Sequence, residues 1–308
     1  MHAVRSNTRL LSNTNRASLA VAPTSRAKPA FVPLSFKSYR NRRYTTKLTS
    51  STTSIMTSTQ SHACCTVPPV TGIEYTPKGE YITIQGMRTY ATGPKDAKVA
   101  LLYIYDIFGM DFKQTLRGAD ILAHGDKERP YQVFIPDFFD GKPADISWYP
   151  PDTKEKGEKL GEFFSTLAAP PKTLERIPKV LDEIKSQRSS ISKWGVVGFC
   201  WGGKIVNLTS QKDTPWTAAA ACHPAMVDAN DAAAITIPIA MLPSKDESKE
   251  DLEKWEKAIK VKNAVEWYPN QVHGFMAARG DLNDPAVAAD YQKAYGYLLN
   301  WFHENISA

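Results

Sequence analysis

The chain has 308 residues, of which 42% are hydrophobic, so it can bury a sizeable core and is not disordered as a whole. Residues 1–56 hold ten of the 38 Lys and Arg and no Asp or Glu, which leaves 28 basic against 32 acidic residues in the remainder. The mildly acidic remainder gives no reason to expect nucleic-acid binding. No apolar run approaches the roughly 20 residues of a membrane helix, which argues against a membrane protein.

The N-terminal tail, residues 1–60, is rich in Arg, Ser and Thr and lacks acidic residues, a composition typical of a mitochondrial transit peptide. We expect this tail to be disordered and to lie outside the fold. Asn41–Ser51 resembles a matrix-processing site, so a mitochondrial location is the first expectation. Translation from Met56 would instead give a cytoplasmic protein, and a third interpretation is that the gene was extended too far upstream.

The four cysteines are Cys64, Cys65, Cys200 and Cys222, too few over this length for a disulfide framework. This usage indicates a reducing compartment. The pair Cys64–Cys65 stands close to His62, but this spacing is too tight for a usual zinc site and no second ligand pair follows. We therefore expect no metal.

Strand and helix patterns alternate from residue 70 to 305 without an internal repeat or linker, which predicts one domain. The strand patterns lie at 81–92 (two short strands that turn at Gly86), 97–109, 131–139, 194–200, 216–224, 235–246 and 263–269. The helix patterns lie at about 154–167 and 171–188, after the capping residue Ser248, and from Asp284–Pro285 to the C-terminus. Together they predict an α/β fold with a mostly parallel central sheet covered by helices on both faces.

The stretch "WGVVGFCWGG" carries a cysteine between two glycines, where a strand meets a helix. Gly198, Cys200 and Gly202 form G-x-C-x-G, the thiol version of the nucleophile elbow. The sharp turn brings the two flanking positions close together, where a Cβ would clash, and it lifts the sulfur above the sheet at a helix N-terminus that favours the thiolate. The N–H of Trp201 would then stabilise an oxyanion. The alternative is a structural cysteine in a strand–helix turn.

Two further residues follow later predicted strands. Asp246 ends "PIAMLPSKD", and His273 lies in the loop before the last helix. Alone, such an Asp is more often a helix cap and such a His a surface residue. The order Cys200, Asp246, His273 is nucleophile, acid, base, which is the chain order of the α/β-hydrolase triad.

With its motifs "SHACC", "DIFG", "GFCWGG" and "VHGF", the chain resembles the dienelactone hydrolase family, a cysteine branch of the α/β-hydrolases, over about residues 70–304. The resemblance implies the α/β-hydrolase fold, with Cys200 as nucleophile, Asp246 as orienting acid and His273 as base. It also implies a carboxylate that holds the resting thiol, a place that Asp106 takes here instead of the Glu of the bacterial enzymes. A strand-end cap is the alternative for Asp106.

The same resemblance implies that the Ile107 N–H is the second oxyanion donor. The bacterial enzymes hold a substrate carboxylate with two arginines. Arg279 is a candidate for one of them, although it lies six residues after His273, farther than in that pattern. Residues 130–175 contain no Arg for the other role, so the substrate of the bacterial enzymes does not carry over. Further candidates for the pocket lining are mainly aromatic: Trp148, Tyr149, Trp201, His223 and Phe275. For His223, a plain loop histidine is the favoured interpretation.

We therefore expect hydrolysis of a small-molecule ester or lactone through a thioester, without a cofactor. Two alternatives keep the same fold. In one, Cys200 is a redox sensor, and Cys222 is the only resolving partner in the folded part. In the other, the domain binds a ligand without catalysis. The sequence leaves the choice between monomer and homodimer open.

Overall fold

A computed structural model describes residues 68–307, and the predicted transit peptide, the start at Met56 and the pair Cys64–Cys65 lie outside them. The described chain is built on one sheet of eight strands. In chain order these are β1 (Glu80–Ile84), β2 (Met87–Thr92), β3 (Val99–Ile104), β4 (Gln132–Pro136), β5 (Lys193–Phe199), β6 (Ala218–Cys222), β7 (Ile239–Leu242) and β8 (Asn263–Val265).

The order of the strands across the sheet is β1-β2-β4-β3-β5-β6-β7-β8. The first two strands form an antiparallel hairpin, β2 also runs antiparallel to β4, and all other neighbours are parallel. Strands β3, β4 and β6 are buried along their whole length, as expected for strands covered on both faces. This architecture confirms the predicted α/β-hydrolase fold.

Seven helices accompany the sheet within the described residues. They are α1 (Lys113–His124), α2 (Lys154–Ser165), α3 (Pro170–Gln187), α4 (Trp201–Thr209), α5 (Ala229–Ala234), α6 (Lys249–Ala258) and α7 (Pro285–Asn305). Among them, α1 packs against α7, and α3 packs against α4. None of the helices within residues 68–307 is both long and apolar enough to cross a membrane.

Most predicted elements are confirmed, and the predicted caps are among the clearest. Ser248 accepts a hydrogen bond from the N–H of Asp251 at 3.2 Å, and Asp284 caps α7 through the N–H groups of its first turn. The sequence pattern missed α1 and α5. Helix α1 begins after Phe112, which makes no side-chain cap, and α5 has only six residues, so neither gives a clear helix signal.

The parallel strands all end at the same edge of the sheet. The loops after β3, β5, β6, β7 and β8 therefore meet there, and each carries one of the candidate residues discussed below. Small side chains in the centre, such as the alanines of β6, let the helices approach closely, and the Trp301 indole on α7 donates to the carbonyl of Ala219 at 2.9 Å. The fold thus brings residues far apart in sequence to one edge.

Candidate active site

Cys200 lies at the turn between β5 and α4 with φ 54° and ψ −113°, a strained left-handed conformation for a residue with a side chain. Its carbonyl accepts hydrogen bonds from the N–H groups of Gly203 and Ala225, both at 3.0 Å. A Cβ on Gly198 would lie 2.1 Å from the Gly202 carbonyl oxygen. The predicted elbow is therefore present, and the glycine before the cysteine is required by steric fit.

Gly202 has a second close neighbour. A Cβ at this position would lie 2.1 Å from the carbonyl oxygen of Ile104, at the end of β3. The elbow is thus pressed against the loop that carries Asp106 and Ile107. Trp201 is the first residue of α4, so its N–H has no acceptor in the preceding turn of the helix and is suited to receive a ligand oxygen.

His273 contacts a carboxylate, but that carboxylate belongs to Glu247. The imidazole Nδ1 lies 2.6 Å from Glu247 Oε1, and both side chains are buried. The other Glu247 oxygen accepts a hydrogen bond from the N–H of Ser244. These two contacts fix the carboxylate and hold the imidazole ring by its Nδ1 atom, as the acid of a hydrolase triad does.

The assignment of Asp246 as the carboxylate on the imidazole is corrected by this geometry. Asp246 is only partly buried, and its Oδ2 accepts the backbone N–H of His273 at 2.8 Å. The reason is local, because in the turn before α6 two adjacent carboxylates point to different parts of the His273 loop. The signal for Glu247 was visible in the sequence "SKDES", but that sequence does not decide between the two acids.

Asp106 lies just beyond the end of β3 and is buried. Its two oxygens accept the backbone N–H groups of Phe108, at 2.9 Å, and Ala278, at 3.1 Å. Burial raises the pKa of Asp106 to about 6, against the opposing effect of these N–H groups and of the positive charges on Arg279 and His273. These bonds tie the β3 loop to the His273 loop, and the role of Asp106 toward the thiol stays a prediction.

Arg279 reaches the site despite its distance from His273 in sequence. The chain turns at Gly274, with φ 91°, and the N–H groups of Ala277 and Arg279 both donate to the Gly274 carbonyl. This turn brings Arg279 Nη1 to 3.4 Å from the carbonyl oxygen of His273. The buried guanidinium lies over the rings of Phe108 and Tyr149, 5.2 and 5.5 Å from their centroids.

The other predicted lining residues divide into two groups. Tyr149 packs on Phe108 beside Arg279, and Trp148 next to it is partly buried. The Trp201 indole instead donates to the Ala168 carbonyl at 2.8 Å and packs on Phe139, so the ring belongs to the core. It does not fit the predicted role of pocket lining.

His223 and Phe275 lie close to His273 and to each other. The two rings are 6.0 Å apart, and the His223 ring is 5.2 Å from that of His273. Both side chains are fully buried.

Cys222 shares the core with a cluster of tyrosines. It pairs with Phe199 in the sheet, so the two side chains share a face, and Phe199 stacks on Tyr103. Cys200 itself lies beyond the end of β5, and its backbone N–H donates to the Cys222 carbonyl at 3.1 Å, so the two backbones are adjacent. Burial raises the pKa of the Cys222 thiol well above its usual value. The buried thiol with its raised pKa, and not the distance between the two cysteines, makes Cys222 a poor resolving partner in the redox alternative.

The comparisons with known proteins agree with the fold. The model of the dienelactone hydrolase family matches residues 87–306. An uncharacterised AIM2 family protein of Schizosaccharomyces pombe is 33% identical over 234 residues, which are 74% of this chain and 92% of that protein. The human carboxymethylenebutenolidase homolog is 27% identical over 241 residues, 75% of this chain and 93% of that protein.

Among solved structures, a putative dienelactone hydrolase from Klebsiella pneumoniae has a TM-score of 0.55 at 18% identity, and the match covers 74% of this chain and 99% of that one. At this identity the likeness concerns the fold alone. The family model and the fungal relative support membership of a family. On their evidence, the chain belongs to the dienelactone hydrolase family.

Proposed function

We propose that this hydrolase cleaves a small-molecule ester or lactone through a thioester on Cys200, with His273 as the base and Glu247 as the orienting acid. The observation that carries the proposal is the combination of a strained elbow cysteine with a buried imidazole held at Nδ1 by a carboxylate. A structural cysteine needs neither the strain nor the histidine–carboxylate pair. Such strain is retained where function requires it.

In the first half of the reaction, His273 Nε2 takes the Cys200 proton, and the thiolate attacks the acyl carbon. The N–H groups of Trp201 and Ile107 stabilise the oxyanion, each by roughly 3 kcal/mol in the barrier. The C–O bond then breaks, and the leaving oxygen takes the proton from His273. The acyl group is now held as a thioester.

In the second half, His273 takes a proton from water while the water oxygen bonds to the acyl carbon. The C–S bond breaks, and its electron pair returns to sulfur, which recovers the proton from His273. The products are a carboxylic acid and an alcohol. In an enol lactone, the leaving group is an enol in the same molecule, and this enol tautomerises to a ketone. A thiolate is a good leaving group, so amides are the poorer substrates.

The position of Arg279 supports a substrate that carries an acidic group. A guanidinium keeps its charge at every physiological pH, and here it is buried against two aromatic rings that contact each other, close to the backbone of His273. A substrate carboxylate would find a charged donor with little water to compete. Arg279→Lys should raise KM for an ester that carries a carboxylate by about tenfold and leave a neutral ester within about threefold. Equal effects on both esters would contradict this role.

The test of the reaction itself uses the full chain with p-nitrophenyl acetate and a panel of enol lactones. Cys200→Ala and His273→Ala should both abolish turnover, and mass spectrometry of the quenched wild type should find the acyl group on Cys200. Equal activity in all three proteins would refute the proposal.

A further inference from the structure

His223 combines two unfavourable features at one residue. It follows β6 at the same edge of the sheet as Cys200, and its backbone has φ 34°, in the left-handed region. Its side chain is fully buried, and neither ring nitrogen has a hydrogen-bond partner within the described chain. Buried polar atoms without partners are rare in proteins because their desolvation is not compensated. A residue with both features beside an active site calls for a functional explanation.

The surroundings of His223 keep its ring neutral. Burial lowers the pKa of His223 well below its usual value, and the Arg279 guanidinium and the charge that His273 gains on protonation lower it further. A neutral imidazole carries one N–H donor and one bare nitrogen acceptor. The ring therefore offers a donor and an acceptor beside His273, with Phe199 and Phe275 as its other aromatic neighbours.

The His223 ring is in direct contact with the ring of the proposed base, His273. The ring centroids are 5.2 Å apart with an angle of 67° between the planes, so the edge of one ring meets the face of the other. A water that bridges the two rings would therefore lie beside this contact, about 2.8 Å from a nitrogen of each ring. There it would satisfy a nitrogen of His223 that has no partner within the described chain. Glu247 already holds Nδ1 of His273, so such a water would meet the Nε2 side.

The proposed mechanism needs a water molecule beside His273 to hydrolyse the thioester. Cys200 and His273 are each only 1% exposed, so bulk solvent does not reach the thioester freely. On the basis of the proposed thioester mechanism, we propose that His223 is a further catalytic residue, which binds the water that hydrolyses the acyl-enzyme. In that step the water gives its proton to His273 and its oxygen to the acyl carbon, and the C–S bond breaks. His223 orients the water and is unchanged.

The proposal predicts a defect in deacylation alone, because acylation uses no water. In stopped-flow experiments with p-nitrophenyl acetate, the full-length His223→Phe variant should keep its burst of p-nitrophenolate within about threefold. Its steady-state rate should fall by about 30-fold, since a positioned water is lost while the ring packing is kept. The acetyl thioester on Cys200 should accumulate to nearly one per protein. Hydroxylamine, which attacks thioesters directly, should restore turnover.

Two controls separate this role from packing. Phe275→Leu changes the aromatic neighbour of His223 but removes no polar atom, and it should alter both phases by the same factor. His223→Gln keeps a donor and an acceptor, so it should lose less than tenfold of the steady-state rate with the burst intact. This second variant serves as the test if His223→Phe fails to fold.

A burst and a steady-state rate that fall together in both His223 variants would overturn the proposal and leave His223 with a structural role. An unchanged steady-state rate would overturn it as well. Failure of the proposed function is a separate result, since the wild type would then show no burst that depends on Cys200.

Discussion

The two adjacent carboxylates before α6 bind different groups of His273, Glu247 the ring and Asp246 the backbone N–H, and their roles can be tested with one pair of variants. Glu247→Gln removes the charge from the 2.6 Å contact with the His273 ring. The amide also places an NH₂ group where a carboxylate oxygen can accept a hydrogen bond. Asp246→Asn is the matched control. In the wild type the backbone N–H of His273 donates to Asp246 Oδ2 at 2.8 Å, and the amide oxygen of Asn can still accept this hydrogen bond.

The size of the effect follows from the charge that develops on the histidine. Loss of the corresponding acid in serine-protease triads costs about 10⁴-fold in kcat. A thiol is much more acidic than a serine hydroxyl, so its proton moves to the imidazole with less help from the acid. We therefore expect Glu247→Gln to lose about 10² to 10³-fold in kcat, or about 3–4 kcal/mol in the barrier. Asp246→Asn should lose less than about fivefold.

The assay is steady-state hydrolysis of p-nitrophenyl acetate, followed for the wild type and both variants over the same pH range. Thermal unfolding of each protein controls for loss of the fold. A large loss in Asp246→Asn with a nearly normal Glu247→Gln would refute the assignment of Glu247 as the triad acid and restore the one that the sequence alone favoured.

Three further predictions follow from the site. Because the pKa of Asp106 is raised from 3.8 to about 6, the folded state keeps a proton between these pH values that the unfolded state releases. The free energy of unfolding of the wild type, measured in urea relative to that of Asp106→Asn, should therefore be highest below about pH 4. It should fall by about 3 kcal/mol by about pH 7. Gly198→Ala should cost more than about 3 kcal/mol of folding free energy or prevent folding. Gly161→Ala, at an exposed position of α2 where a Cβ meets nothing within 4 Å, should instead stabilise the fold by about 0.5–1 kcal/mol. Peptide mapping after mild peroxide should find no disulfide between Cys200 and Cys222, although their backbones are adjacent, because burial raises the pKa of the Cys222 thiol and keeps oxidant and water away from it.

The sequence predicted those parts of the molecule that depend on local patterns. The apolar strands, the Ser248 and Asp284 caps and the glycines around Cys200 each have a signal within a few residues, and the structure confirms them. Helix α1 was missed because it lacks such a signal, since neither a capping side chain nor an acidic first turn marks its start.

The parts that were not predictable depend on the directions of side chains in loops. Asp246 and Glu247 are both carboxylates in one turn, and only the path of the backbone decides which of them meets the imidazole. For Arg279, spacing from His273 was a poor guide, because the left-handed turn at Gly274 shortens the path between them. The Trp201 ring was expected in the pocket, but a hydrogen bond to a core carbonyl holds it elsewhere.

The site is held together mainly by the backbone, and this explains how it can keep so many unfavourable features. Asp106 accepts N–H groups from its own loop and from the His273 loop, and Asp246 accepts the N–H of His273 itself. The elbow glycines let the Cys200 turn press on the end of β3. Each loop is thus fixed by its neighbours before any substrate binds. The strain at Cys200 and the buried polar ring of His223 cost free energy, and the large buried sheet below them offsets that cost.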